Sequence, residues 1–199
     1  QDAIGLRAED SFWNIADPGW AYGLYYGITG PLLLGHPTIF YEGAFTADSL
    51  CQIVNDYGVN NLAGAPTAYR MMMAADPKQM AKLHGKFRVV SSAGEPLNPE
   101  VFRWFKQVLD APIYDHYGQT EVGMVVCNHH ALEHEVRAGS AGFASPGYRV
   151  VALDEQGNEL GADTPGILAV DISQSPMMWF GGYQESRKSP FIGHYYLTG

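Results

Sequence analysis

The residues best equipped for chemistry fall together at Tyr114-Asp115-His116-Tyr117-Gly118-Gln119-Thr120-Glu121. Carboxylates, an imidazole, phenol rings, an amide and a hydroxyl surround one glycine there. In a core strand each polar group would need its own buried partner. A plain surface turn has no use for the aromatic rings. The composition therefore predicts a loop at a strand end, following the apolar run Ala111-Pro112-Ile113, that meets a ligand through several chemistries at once. His116 beside Asp115 suggests acid–base work, but neighbours in a strand-like segment point to opposite sides. That pair reads as polar filling.

A second cluster is weaker. His129, His130 and His134, with Glu133 and Glu135, match none of the common zinc spacings and read as an exposed loop. No Gly-x-Ser-x-Gly elbow or supported Cys/His pair occurs. Cys51 and Cys127 lie in apolar surroundings and read as free thiols of a reducing compartment, so the expected location is cytoplasmic.

Positioning the 114–121 loop needs strands whose carboxyl ends converge. Phe87-Arg88-Val89-Val90-Ser91-Ser92 reads as a strand entering Ala93-Gly94-Glu95-Pro96-Leu97. Asn98-Pro99-Glu100 then caps a helix with Val101, Phe102, Phe105, Val108 and Leu109 at helical period. Residues 59–63 predict an earlier strand, closed by Gly64-Ala65-Pro66-Thr67. Before it, 46–57 predicts a helix capped by Thr46, with Leu50, Ile53, Val54 and Tyr57 as its apolar stripe. After it, 67–75 predicts a helix whose Met71, Met72 and Met73 are adaptable packing or a pocket wall. Thr38-Ile39-Phe40-Tyr41 reads as a further short strand. Such alternation predicts an α/β fold with a mostly parallel sheet. Ligands gather at the carboxyl ends of such strands, here in loops 64–67, 93–97 and 115–121.

Asp17-Pro18 reads as a helix start, with Gly19, Gly23 and Gly27 on one face and Trp20, Tyr22, Tyr25 and Tyr26 on the others. Residues 18–41 lack charge, but prolines and glycines interrupt them well short of the roughly 20 continuous apolar residues of a membrane span. After Cys127 the pattern changes to alternating strands at 148–153 and 167–170, joined by the turn Asp154-Glu155-Gln156-Gly157-Asn158. The expected organisation is an α/β subdomain over 1–127 and a smaller antiparallel, β-rich subdomain over 128–199.

The 199 residues suffice for a substantial core, and the 46% apolar and 17% charged fractions are those of a soluble globular protein. A net charge of −9 argues against a nucleic-acid partner, while leaving room for an anion held by local dipoles. No signal peptide is visible. Gln1 and the abrupt Gly199 suggest a piece of a longer chain.

Ala93-Gly94-Glu95-Pro96-Leu97-Asn98-Pro99 and Tyr117-Gly118-Gln119-Thr120-Glu121 resemble adjacent signature motifs of the AMP-forming acyl-CoA synthetase family, within the adenylate-forming superfamily. Asp17-x-Gly19-Trp20, Ala65-Pro66-Thr67 and Tyr195-Tyr196-Leu197-Thr198-Gly199 match further landmarks in the right order, so the resemblance covers essentially the whole chain. The chain is similar to medium-chain and acetyl-CoA synthetase-like members. The resemblance implies activation of a carboxylic acid with ATP and Mg2+ to an acyl-adenylate, then transfer of the acyl group to coenzyme A. It places Gly94, Glu95 and Pro96 along the adenine, with Tyr117 on the other face and Asp115 at the adenine edge. Thr120 would donate to the α-phosphate and Glu121 would hold the metal.

For the acid, the resemblance implies a pocket of Trp20, Ala21, Tyr22, Ala93 and Gly118. In the acetate-activating branch the position matching Gly118 carries a tryptophan that blocks this pocket, and those matching Ala21 and Ala93 carry valine. The small residues here imply a medium-chain or aryl acid. The family's phosphate loop and its lysine are expected before residue 1, and the ribose-binding aspartate and mobile C-terminal domain after residue 199. The isolated chain is accordingly expected to be inactive and to bind ATP weakly or not at all, with those parts of the same enzyme as its partners. Two other readings stand beside this one: an adenylation domain that loads a carrier protein, disfavoured by Gly94-Glu95-Pro96 with Gln119, and a non-catalytic nucleotide-binding module.

Overall fold

The computed structural model describes residues 2–184 and 189–198. Its first sheet has six strands in the order β1 (Phe12–Asn14), β2 (Asn61–Gly64), β3 (Val89–Ser92), β4 (Ile113–Gln119), β5 (Gly123–Cys127) and β6 (Phe143–Ala144). The pairs from β1 to β4 are parallel, and β4–β5 and β5–β6 are antiparallel. β2 and β3 are buried along their whole length, as strands of a sheet covered on both faces must be. The first sheet continues past residue 128, because β6 pairs with β5.

The helices between these strands form where their ends are capped. In α2 (Ala47–Tyr57) the Thr46 hydroxyl accepts from the Ser49 N–H at 3.1 Å, and Ser49 Oγ accepts from the Thr46 N–H at 2.9 Å. Leu50, Ile53 and Val54 pack inward, whereas Tyr57, expected on the same stripe, is 62% exposed. α3 (Pro66–Met73) buries Tyr69 and Met72 and leaves Met71 outside, so of the methionine run it is Met72 that fills core. After the short α4 (Pro77–Met80), α5 (Pro99–Trp104) opens on Asn98, whose Oδ1 accepts from the Glu100 N–H, and continues as a π-helical turn over Phe105–Leu109. Val101, Phe105 and Leu109 close the main core with Trp13, Leu62, Val90 and Ile113.

The helix after β1 departs from expectation. Asp17-Pro18-Gly19-Trp20 is a turn in which Asp17 Oδ1 accepts from the Gly19 N–H at 2.6 Å. A π-helical stretch, Tyr22–Thr29, follows and runs into α1 (Gly30–Leu33). Gly19 is thus outside the helix. Gly23 and Gly27 keep the close-approach role: a Cβ at Gly23 would lie 2.0 Å from the Asp17 carbonyl oxygen, and one at Gly27 3.2 Å from Asn14 Cβ. Thr38-Ile39-Phe40-Tyr41 is not a strand, since no neighbouring strand pairs with it among the described residues; Thr38 instead donates its hydroxyl to the Gly27 carbonyl at 2.8 Å.

The largest correction concerns the chemically rich stretch itself. Residues 114–119 are not a loop but most of β4. β3 pairs with one edge of β4 only as far as Asp115, and β5 pairs with the other edge from His116 onward. Beyond Ser92 the parallel neighbour leaves, and cavities take its place.

The second sheet is antiparallel, in the order β7 (Val150–Leu153), β8 (Ile167–Asp171), β10 (Tyr195–Leu197) and β9 (Phe191–Ile192). Asp154 builds the expected turn after β7, accepting from the Gln156 and Asn158 N–H groups. Val122, Val125, Val170 and Tyr196 join the two sheets. Among the described residues no helix is long and apolar enough to cross a membrane.

Candidate active site

β4 bends at the register shift between Tyr117 and Gly118, where Val125 is the extra residue on β5. A Cβ added at Gly118 would lie 2.2 Å from the Gly123 carbonyl oxygen and 2.8 Å from Met124 Cα, so only glycine fits this close main-chain approach. Gly94, after β3, has φ +92, and its open side lies against the Trp20 indole, 2.5 Å from where a Cβ would be. These two glycines form the divide between two cavities.

The larger cavity, about 490 Å³, is lined by Gly94, Glu95, Pro96, Asp115, Tyr117 and Gly118, and on its far side by Val126, Gly139, Ala141 and Leu168. The smaller, about 150 Å³, is lined by Trp20, Ala21, Tyr22, Ala93, Gly94, Gly118 and Thr120, together with Tyr25, Tyr26 and Met124. Every residue that the resemblance assigns to the adenylate or the acid lines one or other of them except Glu121. Its carboxylate instead accepts the Tyr183 hydroxyl at 2.6 Å, and it lines neither.

The electrostatics differ along the strand. Burial pushes the Asp115 carboxyl up to about 6, and its Oδ1 is buried without a hydrogen-bond partner among the described residues. Burial also pushes His116 down to about 3, which keeps its ring neutral inside the sheet. Glu95 does not extend its carboxylate into the cavity unsupported. Both oxygens accept from the Thr67 hydroxyl at 2.8 Å, and Arg70 Nη2 donates to Oε2 at 2.9 Å. Those bonds, Thr67 first, hold the Glu95 carboxyl below the usual range. The 64–67 and 93–97 loops are joined by this clamp.

Tyr22 is buried with its hydroxyl unpartnered among the described residues, and burial raises its ionisation well above the ordinary phenol range. Tyr26 accepts the Met124 N–H at 3.1 Å and so ties the helix to β5 across the end of the smaller cavity. Gln119 faces the second sheet: its Nε2 donates to the Thr198 carbonyl at 2.6 Å, and its Oε1 accepts the Tyr196 hydroxyl at 2.9 Å.

Several of these contributors lie outside the motifs read from sequence. Arg70 falls three residues after Thr67 on α3, the spacing at which helix neighbours meet, and that spacing could have found it. Gly139, Ala141 and Leu168 carry no local signal of a ligand wall. They reach the larger cavity through the antiparallel continuation and the second sheet.

A family model described as AMP-binding enzyme matches residues 1–179. Acetyl-coenzyme A synthetase of Bacillus subtilis (strain 168) is 38% identical over 202 residues, which cover 98% of this chain and 35% of that protein. The crystal structure of an acyl-CoA synthetase of Brucella canis superposes with a TM-score of 0.95 at 63% identity, covering 100% of this chain and 36% of that one. A benzoate CoA ligase from Burkholderia xenovorans LB400 superposes with a TM-score of 0.82 at 28% identity, covering 99% of this chain and 40% of that one. The chain thus spans about a third of the length of the curated relatives it matches.

Proposed function

The chain belongs to the AMP-binding enzyme family, and from that premise we propose that it supplies the adenylate and acid cavities of an ATP-dependent acid–thiol ligase. The reaction joins a carboxylate oxygen to the α-phosphorus of ATP and releases pyrophosphate. The thiol of coenzyme A then attacks the acyl carbonyl and AMP leaves. One observation carries the proposal: the larger and smaller cavities share Gly94 and Gly118, so an adenylate in one and an acid in the other meet across two residues that bear no side chain.

In this assignment Gly94, Glu95 and Pro96 lie along one adenine face and the Tyr117 ring along the other. Asp115 takes the adenine edge. Its unpartnered Oδ1 suits an acceptor for an exocyclic amine, and above about pH 6 it is ionised and purely an acceptor. Thr120, exposed at the end of β4, donates its hydroxyl to the α-phosphate, and donors placed where charge develops lower the barrier. Among the described residues no group of three His, Cys, Asp or Glu could cage a metal. Mg2+ on a nucleotide needs only one or two protein carboxylates beside phosphates and water, and Glu121 fits that requirement. When bound there, such an ion supplies charge neutralisation at the phosphates.

Trp20, Ala21, Tyr22, Ala93 and Gly118 receive the acid, which we assign to the medium-chain or aryl class because side chains small at Ala21 and Ala93 face aromatic walls. On this assignment residues 1–127 hold both cavities' floors and 128–199 closes the larger through Gly139, Ala141 and Leu168. Cys51 and Cys127 are both free, which suits a cytoplasmic protein.

Calorimetric titration with AMP tests the nucleotide assignment: binding to the whole parent enzyme is expected to weaken about tenfold or more in Tyr117→Ala. Equal binding by both, or none by the parent, refutes it. Acetate, butyrate, octanoate and benzoate compared in ATP–pyrophosphate exchange with the whole enzyme test the acid class. A clear preference for acetate removes the medium-chain or aryl assignment.

A further inference from the structure

A separate cavity of about 220 Å³ opens at the amino ends of β3 and β4, away from the site described above. Arg7, Arg88, Tyr114, His130 and His134 line it. Tyr114 turns to the opposite side of β4 from Asp115, since successive strand residues alternate faces. Nothing in the adenylate or acid chemistry uses these residues.

The donors there are held in place. Arg88 is fixed by an ion pair with the buried Asp10, by its Nε donating to Asp10 Oδ1 at 2.8 Å, and by Nη2 donating to the Gly5 carbonyl at 2.7 Å. Asp10 is itself held by Asn61 Nδ2 at 3.0 Å. These bonds engage Nε and Nη2 and leave Nη1 without an acceptor among the described residues. The His130 ring stacks on Tyr114 with centroids 4.2 Å apart and presses against Gly5, where a Cβ would lie 2.7 Å from the ring. Its Nε2 is buried and has no partner among the described residues. Burial first, then the guanidiniums of Arg88 and Arg7, push His130 down to about 4, so the ring is neutral and able to donate from Nε2. Arg7 is exposed, and no carboxylate pairs with it among the described residues. Asp10 neutralises one guanidinium, which leaves Arg7 as the unbalanced charge.

We propose that this cavity is a second, anion-binding site that takes a phosphate group between Arg7, Arg88 Nη1 and His130 Nε2. Oxyanions match such a set because planar guanidinium donors and a neutral imidazole N–H converge without a competing acceptor.

The His130 ring resonances in a histidine-selective NMR titration report on this site without interference from phosphate bound elsewhere. Inorganic phosphate, raised at constant ionic strength, is expected to shift them along a saturating curve. Arg7→Ala, an exposed position whose loss leaves the core untouched, weakens that curve about tenfold, and Arg7→Lys restores part of it. AMP in place of phosphate, added to Tyr117→Ala to suppress the larger cavity, distinguishes a nucleotide phosphate from the free ion. His130 resonances that stay still with both, or that titrate identically in the parent chain and Arg7→Ala, overturn the assignment.

Discussion

The two cavities on either side of Gly94 and Gly118 are built by different means. The larger is shaped by side chains: Thr67 and Arg70 fix Glu95, and the half-buried Asp115 and Tyr117 line the same wall. The smaller has aromatic walls, but at Gly118 it is bounded by main chain, with β5 closing on that glycine and the Met124 N–H tied to Tyr26. A side-chain wall can be retuned one residue at a time, whereas a main-chain wall moves only if a strand moves. The small residue at 118 therefore does not simply leave space. The direction a side chain would take there is already filled by Gly123 and Met124.

The sharpest test of that contrast is Gly118→Ala. A methyl placed 2.2 Å from a carbonyl oxygen forces β4 and β5 apart, with an expected loss of about 3 kcal/mol or more in urea denaturation. Unchanged stability would mean that the strand yields freely and the main-chain wall is no wall. The counterpart in the larger cavity is Asp115→Asn. Because the folded state raises this carboxyl from 3.8 to about 6, the folded protein holds the proton more tightly, and stability falls as pH rises between about 4 and 6. The amide abolishes that fall and is expected to leave the variant more stable above pH 6 by about 2–3 kcal/mol at most. Stability–pH curves of parent and variant that run parallel across this window would deny the buried charge.

Glu95→Gln weakens a clamp whose members are largely solvent-exposed, so about 1 kcal/mol or less is expected. Its sharper readout is AMP affinity, which falls if the clamp positions the 93–97 loop and stays constant if it does not. Tyr26→Phe removes the acceptor of the Met124 N–H for about 0.5–1.5 kcal/mol. It should also shift acid preference in the whole enzyme toward longer chains. An unaltered preference would show that Tyr26 does not bound the smaller cavity.

What could be read from sequence follows the same division. The helix at α2 was legible because Thr46 and Ser49 cap it locally and Gly58, at φ 61, ends it. The sets Gly94–Pro96 and Asp115–Tyr117 line one cavity, as the convergence of strand ends in a parallel sheet leads one to expect. The loop expected at 114–121 failed for a physical reason. Polarity is at odds with a fully covered strand, and the departure of β3 from β4 after Asp115, which opens cavities beside it, is a fact of topology that no local pattern encodes. The strand expected at 38–41 failed likewise: β-type residues need a neighbouring strand, and none is beside them among the described residues. Leu168 and Gly139 reached the larger cavity by long-range packing, without any signal in their own neighbourhoods.

The two hydrogen bonds made by the Gln119 side chain have a consequence for the order of assembly. The clamp at Glu95 joins residues 28 apart in the chain, whereas Gln119 reaches Thr198 across 79 residues. Closing a loop of the longer kind costs roughly 4 kcal/mol of chain entropy before any contact repays it. The carboxyl end of β4 therefore locks only after β8 and β10 have paired, while its amino end can settle earlier against β3. During refolding, pulse-labelled amides at 90–93 should gain protection before those at 196–198, and simultaneous protection would show the two sheets to form as one unit. The strand at the centre of the molecule would then mature from one end to the other, with the seam between the sheets as its final stitch.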